Sequence, residues 1–521
     1  MVTETGWDLI VVGAGSAGAA LAVRSAEKGK RVLLVEAGPN YRSAQMHEAW
    51  RSPNPIRALL DPTATEQLVW AGLDAARTEK QSHTPYWRGR GVGGSSSING
   101  QIAIRPPMAD FDDWVASGCT GWAPTDVLPY FAKLEDDEEY GDEPYHGRGG
   151  PTPVYRTPQE HWGSVDTALS RAAQAAGHAW APDVNAPGAF GVSPYPINSR
   201  HQRRVSVNDG YLEGARDCSN LTIRGDATVD KLTFSGNRVN GVQVIVDGVA
   251  SIEQADEVVL SAGAIHSPAI LMRSGIGPAS DLRALDIGVR QNLPVGRGFQ
   301  DHPMAVVSIP LIEEAGIQSS DDRHTNVCVR YRSGAHAPEG DMMFVSQNQN
   351  VVAMANPDMR SLAGAFGVWV NQAHSRGELT LTSADFAVQP QIHSRMLSDE
   401  RDLSRLRDGI RALVELARDP AVGSITHGAL ESENGALFAV LDNDSELDDY
   451  LLSTASDVQH ATSTCRMGAI DDADTVVDPS CRVLGIDRLR VVDASIFPTV
   501  PRANTNLTAI MVGEVMADRL D

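Results

Sequence analysis

Apolar and polar positions first fall into a regular pattern at Trp7-Asp-Leu-Ile-Val-Val12, a short apolar run of strand length. Gly13-Ala-Gly-Ser-Ala-Gly18 follows, then an Ala-rich helical stretch, Ala19–Lys28, and a second apolar run, Arg31–Val35, that ends at Glu36. Strand, turn, helix and strand in that order predict a βαβ unit opening a parallel sheet. Residues 220–261 hold three further β-like runs, Leu221–Arg224, Val242–Val246 and Glu257–Leu260. From about 302 to 450, strands such as Glu378–Leu381 mix with a helix near Asp402–Ala417, where Leu403, Leu406, Ile410, Leu413 and Val414 recur at helical spacing. The chain closes with a strand, Leu489–Val492, a turn, and a helix from about Leu507 to Leu520. Polar stretches punctuate this pattern. The turn-rich Tyr145–Pro151 segment predicts a crossover between domains, and the acidic run Glu135–Glu139 predicts a solvated face. No internal repeat is present.

Composition narrows the class. The chain has 521 residues, 42% hydrophobic and 21% charged, which fits a globular protein of two or more domains. Acidic side chains number 67 against 44 basic ones, a formal net charge of −23. That balance excludes nucleic acid and anionic membrane surfaces as partners, because phosphates are repelled. No apolar run approaches the ~20 residues that span a bilayer, and the polar start does not resemble a secretory signal. The five cysteines, Cys119, Cys218, Cys328, Cys465 and Cys481, are odd in number and lack metal-ligand spacing. They predict a reduced, cytoplasmic protein with neither disulfide framework nor metal site.

The glycines carry the first chemistry. Gly13, Gly15 and Gly18 permit a tight turn, close approach of the backbone to a pyrophosphate, and close packing of helix on strand. Glu36, ending the second strand, is placed to bind ribose hydroxyls. A dinucleotide site follows, but these residues alone do not separate NAD from FAD. Three later features point to FAD. Val258-Val-Leu-Ser-Ala-Gly263 resembles the later strand of FAD proteins. Leu489-Arg-Val-Val-Asp493 resembles their C-terminal strand, whose Asp holds the ribityl chain or pyrophosphate. A second Gly-rich stretch, Arg88–Gly100, suits a long ligand lying extended through the protein.

The motifs together resemble the glucose–methanol–choline (GMC) oxidoreductases. Residues 88–105 resemble that family's first signature, and Gly263-Ala-Ile-His-Ser267-Pro through Ser274-Gly-Ile-Gly277 matches its second. Asn292-Leu-Pro-Val-Gly-Arg-Gly-Phe-Gln-Asp301-His302 resembles the segment that follows, and His460-Ala-Thr-Ser-Thr-Cys-Arg-Met-Gly468 with Val491–Val512 resembles the catalytic end. The resemblance implies an α/β fold: a Rossmann-like FAD-binding domain (1–155, 205–301 and 452–521) and an α+β substrate domain on an antiparallel sheet (156–204 and 302–451). It implies a cofactor site of Gly13, Gly15, Ser16, Gly18, Glu36 and Ala37, then Arg90, Gly94, Ser95 and Asn99, with Val229 as the backbone contact to adenine and Asp493, Ala494 and Asn506 closing it. Some relatives bind FAD covalently through a His where this chain has Ile98, so the expectation here is non-covalent FAD.

Oxidation of an alcohol by a flavin needs a base for the hydroxyl proton and a group that fixes the oxygen while hydride leaves carbon. By resemblance, His460, one of 14 His, is the base, and Asn504 in Ala503-Asn-Thr-Asn506 is the orienting partner. Asn506 would cap the last helix, whose positive end would face the flavin pyrimidine. Val368 and Trp369 resemble the pocket segment of oxidases of furanic and aromatic hydroxymethyl compounds, Trp369 being able to stack on such a ring. Val458 and Gln459, just before His460, complete the substrate set. His302 and His266 read as structural, and Cys465 as a packed small residue. The expected reaction is oxidation of a primary alcohol to the aldehyde, with electrons passed to oxygen or another acceptor. The alternatives are a dehydrogenase with a quinone- or dye-like acceptor acting on an aliphatic or choline-like alcohol, and a non-redox hydroxynitrile lyase.

Overall fold

The computed structural model describes residues 6–350 and 363–520. Five parallel strands form its spine in the order Leu221–Arg224, Val32–Val35, Trp7–Val12, the end of Val249–Leu260, and Leu489–Val491. All four residues of Val32–Val35 and the last four of Trp7–Val12 are buried, because helices or loops cover both faces of a parallel sheet. The first half of Val249–Leu260 leaves this sheet and pairs antiparallel with Arg238–Val246, which pairs in turn with Thr228–Ser235. That last strand is absent from the sequence reading. It is an edge strand with two register shifts and mixed burial, so its alternation is broken.

The helix Ser16–Glu27 lies against the C-terminal helix Thr505–Arg519. Two glycines allow the close approach on its two sides. A Cβ at Gly18 would sit 2.0 Å from the Gly13 carbonyl oxygen, and one at Gly513 would sit 2.4 Å from the Ala17 carbonyl oxygen. Gly18 therefore acts through packing, as its spacing predicts.

A second, six-stranded antiparallel sheet runs Ser456–Asp457, Pro303–Pro310, Ala363–Val370, Met342–Gln347, Val327–Tyr331 and Gly191–Pro194. Its two faces do different work. Val307, Val329, Phe344, Phe366 and Val368 join one apolar cluster with Leu406, Ile410 and Leu413 of the helix Glu400–Ala417. The alternate residues, Met304, Cys328, Met343, Val345 and Trp369, join another with Ile102, Ile104 and Tyr195. This second face looks toward the functional cavity.

The acidic run corrects one expectation. Glu135–Asp137 is a short strand paired with Thr152–Val154, so alternate acids point inward. Glu135 and Asp137 are fully buried among Arg105, His146, Arg156 and Asp183, while Asp136 stays partly exposed. Only part of the run is a solvated face.

Candidate active site

A cavity of about 650 Å³ lies between the two sheets. Its wall begins at the turn after the first strand, with Gly13, Gly15 and Ser16, and takes in Glu36 and Ala37 from the end of the second. Val229 lines it from the neighbouring strand, and Gly94, Ser95, Ile98 and Asn99 line it from the second Gly-rich stretch. Asp493 and Ala494, then Asn504 and Asn506, complete this side. At Gly13 the backbone φ of +102° and the 2.4 Å between a built Cβ and the Ser261 carbonyl oxygen admit no side chain. A Cβ at Gly94 would lie 2.8 Å from Gly15 Cα, so the two glycine turns abut at this wall. Glu36 accepts backbone N–H groups from Ala14, Gly38 and Gly91, each at 2.9 Å, and so locks both turns together. Gly15 offers no side-chain cap to the helix Ser16–Glu27, whose first N–H groups remain available to an anion.

Two cofactor expectations need correction. Arg90 is not on the cavity wall; its guanidinium donates to the Ala37 carbonyl and lies 5.6 Å over the Trp70 ring. Asn506 does not cap the last helix. Its Oδ1 accepts from Ser16 Oγ at 2.7 Å and its amide donates to Asn198, tying the two helix starts together. Asp493 accepts from Gly263 N, Ser267 Oγ and Ser495 N while lining the cavity.

His460 and Asn504 meet at the substrate end, with Asn504 Nδ2 3.0 Å from His460 Nε2. Asn504 occupies the N-cap position of the C-terminal helix without capping it. Its side chain is held the other way, its Oδ1 accepting from Tyr195 Oη at 2.7 Å. Behind His460 stands His302, unexposed, with the two Nδ1 atoms 2.8 Å apart. His302 Nε2 lies 3.1 Å from the Pro501 carbonyl oxygen. A carbonyl only accepts, so this Nε2 carries the hydrogen. Burial pulls the His302 imidazole down to about 4, so it is neutral and its Nδ1 is a lone pair. His460 must therefore donate from Nδ1, which leaves its Nε2 as an unprotonated acceptor on the cavity side, here accepting from Asn504 Nδ2. Burial first, then His302 and Arg88, hold His460 well below the ordinary imidazole range, which keeps that acceptor unprotonated.

Asp301 fixes the backbone of both histidines, accepting from His302 N at 2.7 Å and His460 N at 2.8 Å, and from Tyr86 Oη at 2.6 Å. Burial, with Asp457 adding to it, raises this carboxyl to about 7. Sequence reasoning took His302 as a structured turn and did not single out Tyr195 or Tyr86. The Asp301-His302-Pro303 run is the only signal, and nothing local couples it to a residue 158 positions away.

Trp369 lines the cavity and stacks on His302 at 6.5 Å and 15° between planes. Val368 does not line it. One residue back on the same strand, it faces the opposite side of the sheet, against Gly409 of the helix Glu400–Ala417. Val458 and Gln459 both line the cavity, and Gln459 is held at its edge by Asp457 and Arg88. His266 bonds Gln389, and Cys465 is buried.

The GMC oxidoreductase family profiles match residues 7–304 and 373–513. The chain is 37% identical to a 5-(hydroxymethyl)furfural oxidase of a Methylovorus species, covering 100% of this chain and 99% of the relative. It is 33% identical to an oxygen-dependent choline dehydrogenase of Photobacterium profundum, over 99% and 93%. Among solved structures, pyridoxine 4-oxidase from Mesorbium loti superposes with a TM-score of 0.89 at 28% identity, covering 99% of each chain.

Proposed function

The chain belongs to the GMC oxidoreductase family, whose members depend on FAD, and on that premise we propose that it oxidises a small aromatic or furanic primary alcohol to its aldehyde. The observation that carries this reading is the pair His460 Nε2 and Asn504 Nδ2, 3.0 Å apart on the cavity wall, with the His460 tautomer set from behind. The side-chain-free turns at Gly13 and Gly94 and the uncapped helix Ser16–Glu27 fit the pyrophosphate of FAD. Bound there, FAD would supply the hydride acceptor, flavin N5, and pass the electrons to oxygen or another acceptor.

The protein's own groups perform the rest. The alcohol hydroxyl takes the place of the direct Asn504–His460 contact, the two side chains parting so that its oxygen accepts from Asn504 Nδ2 and its proton faces His460 Nε2. Tyr195 holds the Asn504 amide, so the oxygen is fixed and the carbon-bound hydrogen has one direction. His460 takes the proton at Nε2, and His302 accepts from its Nδ1–H as positive charge develops. Both imidazoles are buried, which keeps water from competing for that proton.

The substrate end favours an aromatic alcohol over a cationic, choline-like one. Trp369, Met304, Val345 and Ile102 line it. The carboxylates on the described cavity wall are Glu36 and Asp493, engaged with backbone N–H groups of the glycine turns, and Asp457, paired with Arg77. None is left to face a quaternary ammonium. The two sheets support a division into a cofactor part (1–155, 205–301, 452–521) and a substrate part (156–204, 302–451), except that Ser456–Asp457 of the first pairs into the second sheet. Ile98 on the cavity wall offers no nucleophile, which supports non-covalent FAD, checked by release of flavin on acid denaturation. No described helix is long and apolar enough to cross a membrane. The five cysteines are unpaired, which supports a reduced, cytoplasmic setting.

The deciding experiment mixes the flavin-loaded enzyme with candidate alcohols without oxygen and follows flavin absorbance. Bleaching by aromatic hydroxymethyl compounds is expected, and reoxidation by air against a quinone then separates oxidase from dehydrogenase. Failure of every alcohol to bleach the flavin would overturn the reading in favour of non-redox chemistry.

A further inference from the structure

The substrate chamber is bordered by buried positive charge that the protein does not neutralise. Arg204 and Arg323 are 5% and 7% exposed. Neither forms an ion pair among the described residues. Arg204 donates to the Trp50 and Ser96 carbonyls and to Asn99 Oδ1, and Arg323 donates to the Pro53 and Gly100 carbonyls. Each keeps a buried nitrogen without a partner, Arg204 Nη2 and Arg323 Nε. The carboxylates that act on them from a distance are already committed. Asp209 accepts from Ser206, and Asp166 accepts from Asn326, Ser346 and Asn348. Burial pulls both guanidiniums down to about 9, and Arg204 adds its repulsion to Arg323.

Neither guanidinium lines the cavity itself; both lie one layer behind its wall. The carbonyls that Arg204 and Arg323 hold belong to the segments before Pro55 and within Ser96–Gly100, and Pro55, Asn99 and Gly100 line the cavity. His324 and Thr325, next to Arg323, line it too, and a Cβ at Gly100 would lie 3.7 Å from His324 Nε2. Arg323 also acts on Tyr195, the hydroxyl that holds Asn504. Buried charges are ordinarily paired, because an isolated one is costly. Among the described residues the wall at the substrate end lacks a free carboxylate, so a substrate group can supply the missing negative charge.

We infer that the preferred alcohol carries a second, anionic group, a carboxylate, seated against His324 over the Arg323–Arg204 pair. The inference rests on the alcohol-oxidation reading and names the substrate class within it. An imidazole N–H and a nearby guanidinium field recognise a carboxylate as a charge-assisted acceptor, whereas a neutral amide of the same shape gains only the ordinary hydrogen bond.

The test compares isosteres on the flavin-loaded enzyme. Benzoate and benzamide are titrated against the oxidised form, with the flavin spectrum reporting binding. 4-(Hydroxymethyl)benzoate and 4-(hydroxymethyl)benzamide are compared in anaerobic flavin reduction. The acid is expected to bind about tenfold more tightly than the amide and to show a correspondingly higher kcat/KM, the size of one charge-assisted hydrogen bond. In Arg323→Met and in His324→Leu the acid-to-amide ratio should fall toward one. An acid-to-amide ratio at or below one in the wild type overturns the inference, whether or not the variants fold. If both alcohols bleach the flavin equally, only the anionic substrate class falls. If neither does while benzoate still binds in preference to benzamide, alcohol oxidation itself falls, and the substrate class with it.

Discussion

Replacing His302 by leucine tests the tautomer argument directly. The substitution keeps a buried apolar volume beside Trp369 but removes the acceptor 2.8 Å from His460 Nδ1. Two consequences follow. The Nδ1–H of His460 becomes a buried donor without a partner, which costs about 1–3 kcal/mol. His460 can recover part of that cost by moving its hydrogen to Nε2, where it points at the alcohol and cannot act as base. Each 1.36 kcal/mol is about tenfold in rate, so flavin reduction should slow by about 10- to 100-fold. The loss should fall on the limiting rate of reduction, with a smaller effect on alcohol affinity, because Asn504 still donates to the oxygen. Stopped-flow reduction under anaerobic conditions measures both quantities, and flavin content and melting temperature check that the fold is intact. His302→Gln should recover part of the rate, since a side-chain amide oxygen can accept from Nδ1. A His302→Leu enzyme that reduces its flavin within twofold of the wild-type rate would refute the tautomer argument.

Asn504→Ala should lower the reduction rate by about 10²-fold, the scale of a lost orienting contact, and raise the alcohol KM, with a modest loss of thermal stability because the buried Tyr195 hydroxyl loses its acceptor; a change in melting temperature alone would contradict the assigned role. The base is active when unprotonated, so a His460 pKa well below 6.5 predicts a reduction rate that is flat from neutral pH upward and falls only in acid; a midpoint near or above 6.5 in steady-state reduction would show that the buried geometry does not hold in solution. His146 is expected to make stability pH-dependent. Burial works against its charge, but Asp183 and Glu135 more than offset it, so its folded pKa is raised. Its contribution is therefore complete below the unfolded value of ~6.5 and lost as pH rises through the raised folded value. Melting temperatures between pH 5 and 9 should show that decline, and His146→Gln should flatten it.

What the sequence discloses depends on whether a residue's partner is local. The opening strand, glycine turn and helix are legible because their apolar runs and glycine spacing lie in one short stretch, even though Gly13 clears Ser261 and Gly15 faces Gly94 from other parts of the chain. Gly13 and Gly18 meet their neighbours at contact distances that no side chain would fit. His460 and Asn504 are legible as a motif, and the structure brings them together across 44 residues. The pocket residues are less legible for a physical reason. All eight residues of Ala363–Val370 are buried, so the strand lacks the polar alternation that would mark its cavity face. Val368 and Trp369 then look equivalent, although a strand sends neighbours to opposite faces. The acidic run fails in the mirror-image way. Every residue from Glu135 to Glu139 is charged, so composition reads as solvent while the pleat buries Glu135 and Asp137 with Arg105, Arg156 and His146.

The same contrast explains why the most informative residues at the site are the ones read as structural. A catalytic imidazole is defined by what its far nitrogen touches, and that partner comes from another part of the chain. Here the last link of that relay, from His302 Nε2 to the Pro501 carbonyl, is a backbone contact. A sequence cannot display a carbonyl as a functional group, since every residue has one. Yet this carbonyl, by accepting and never donating, sets the hydrogen on His302, and through it the unprotonated nitrogen on the cavity side of His460. The segment before the C-terminal helix thus positions both halves of the catalytic pair: Asn504 directly, by its side chain, and His460 at two removes, through Pro501 and His302.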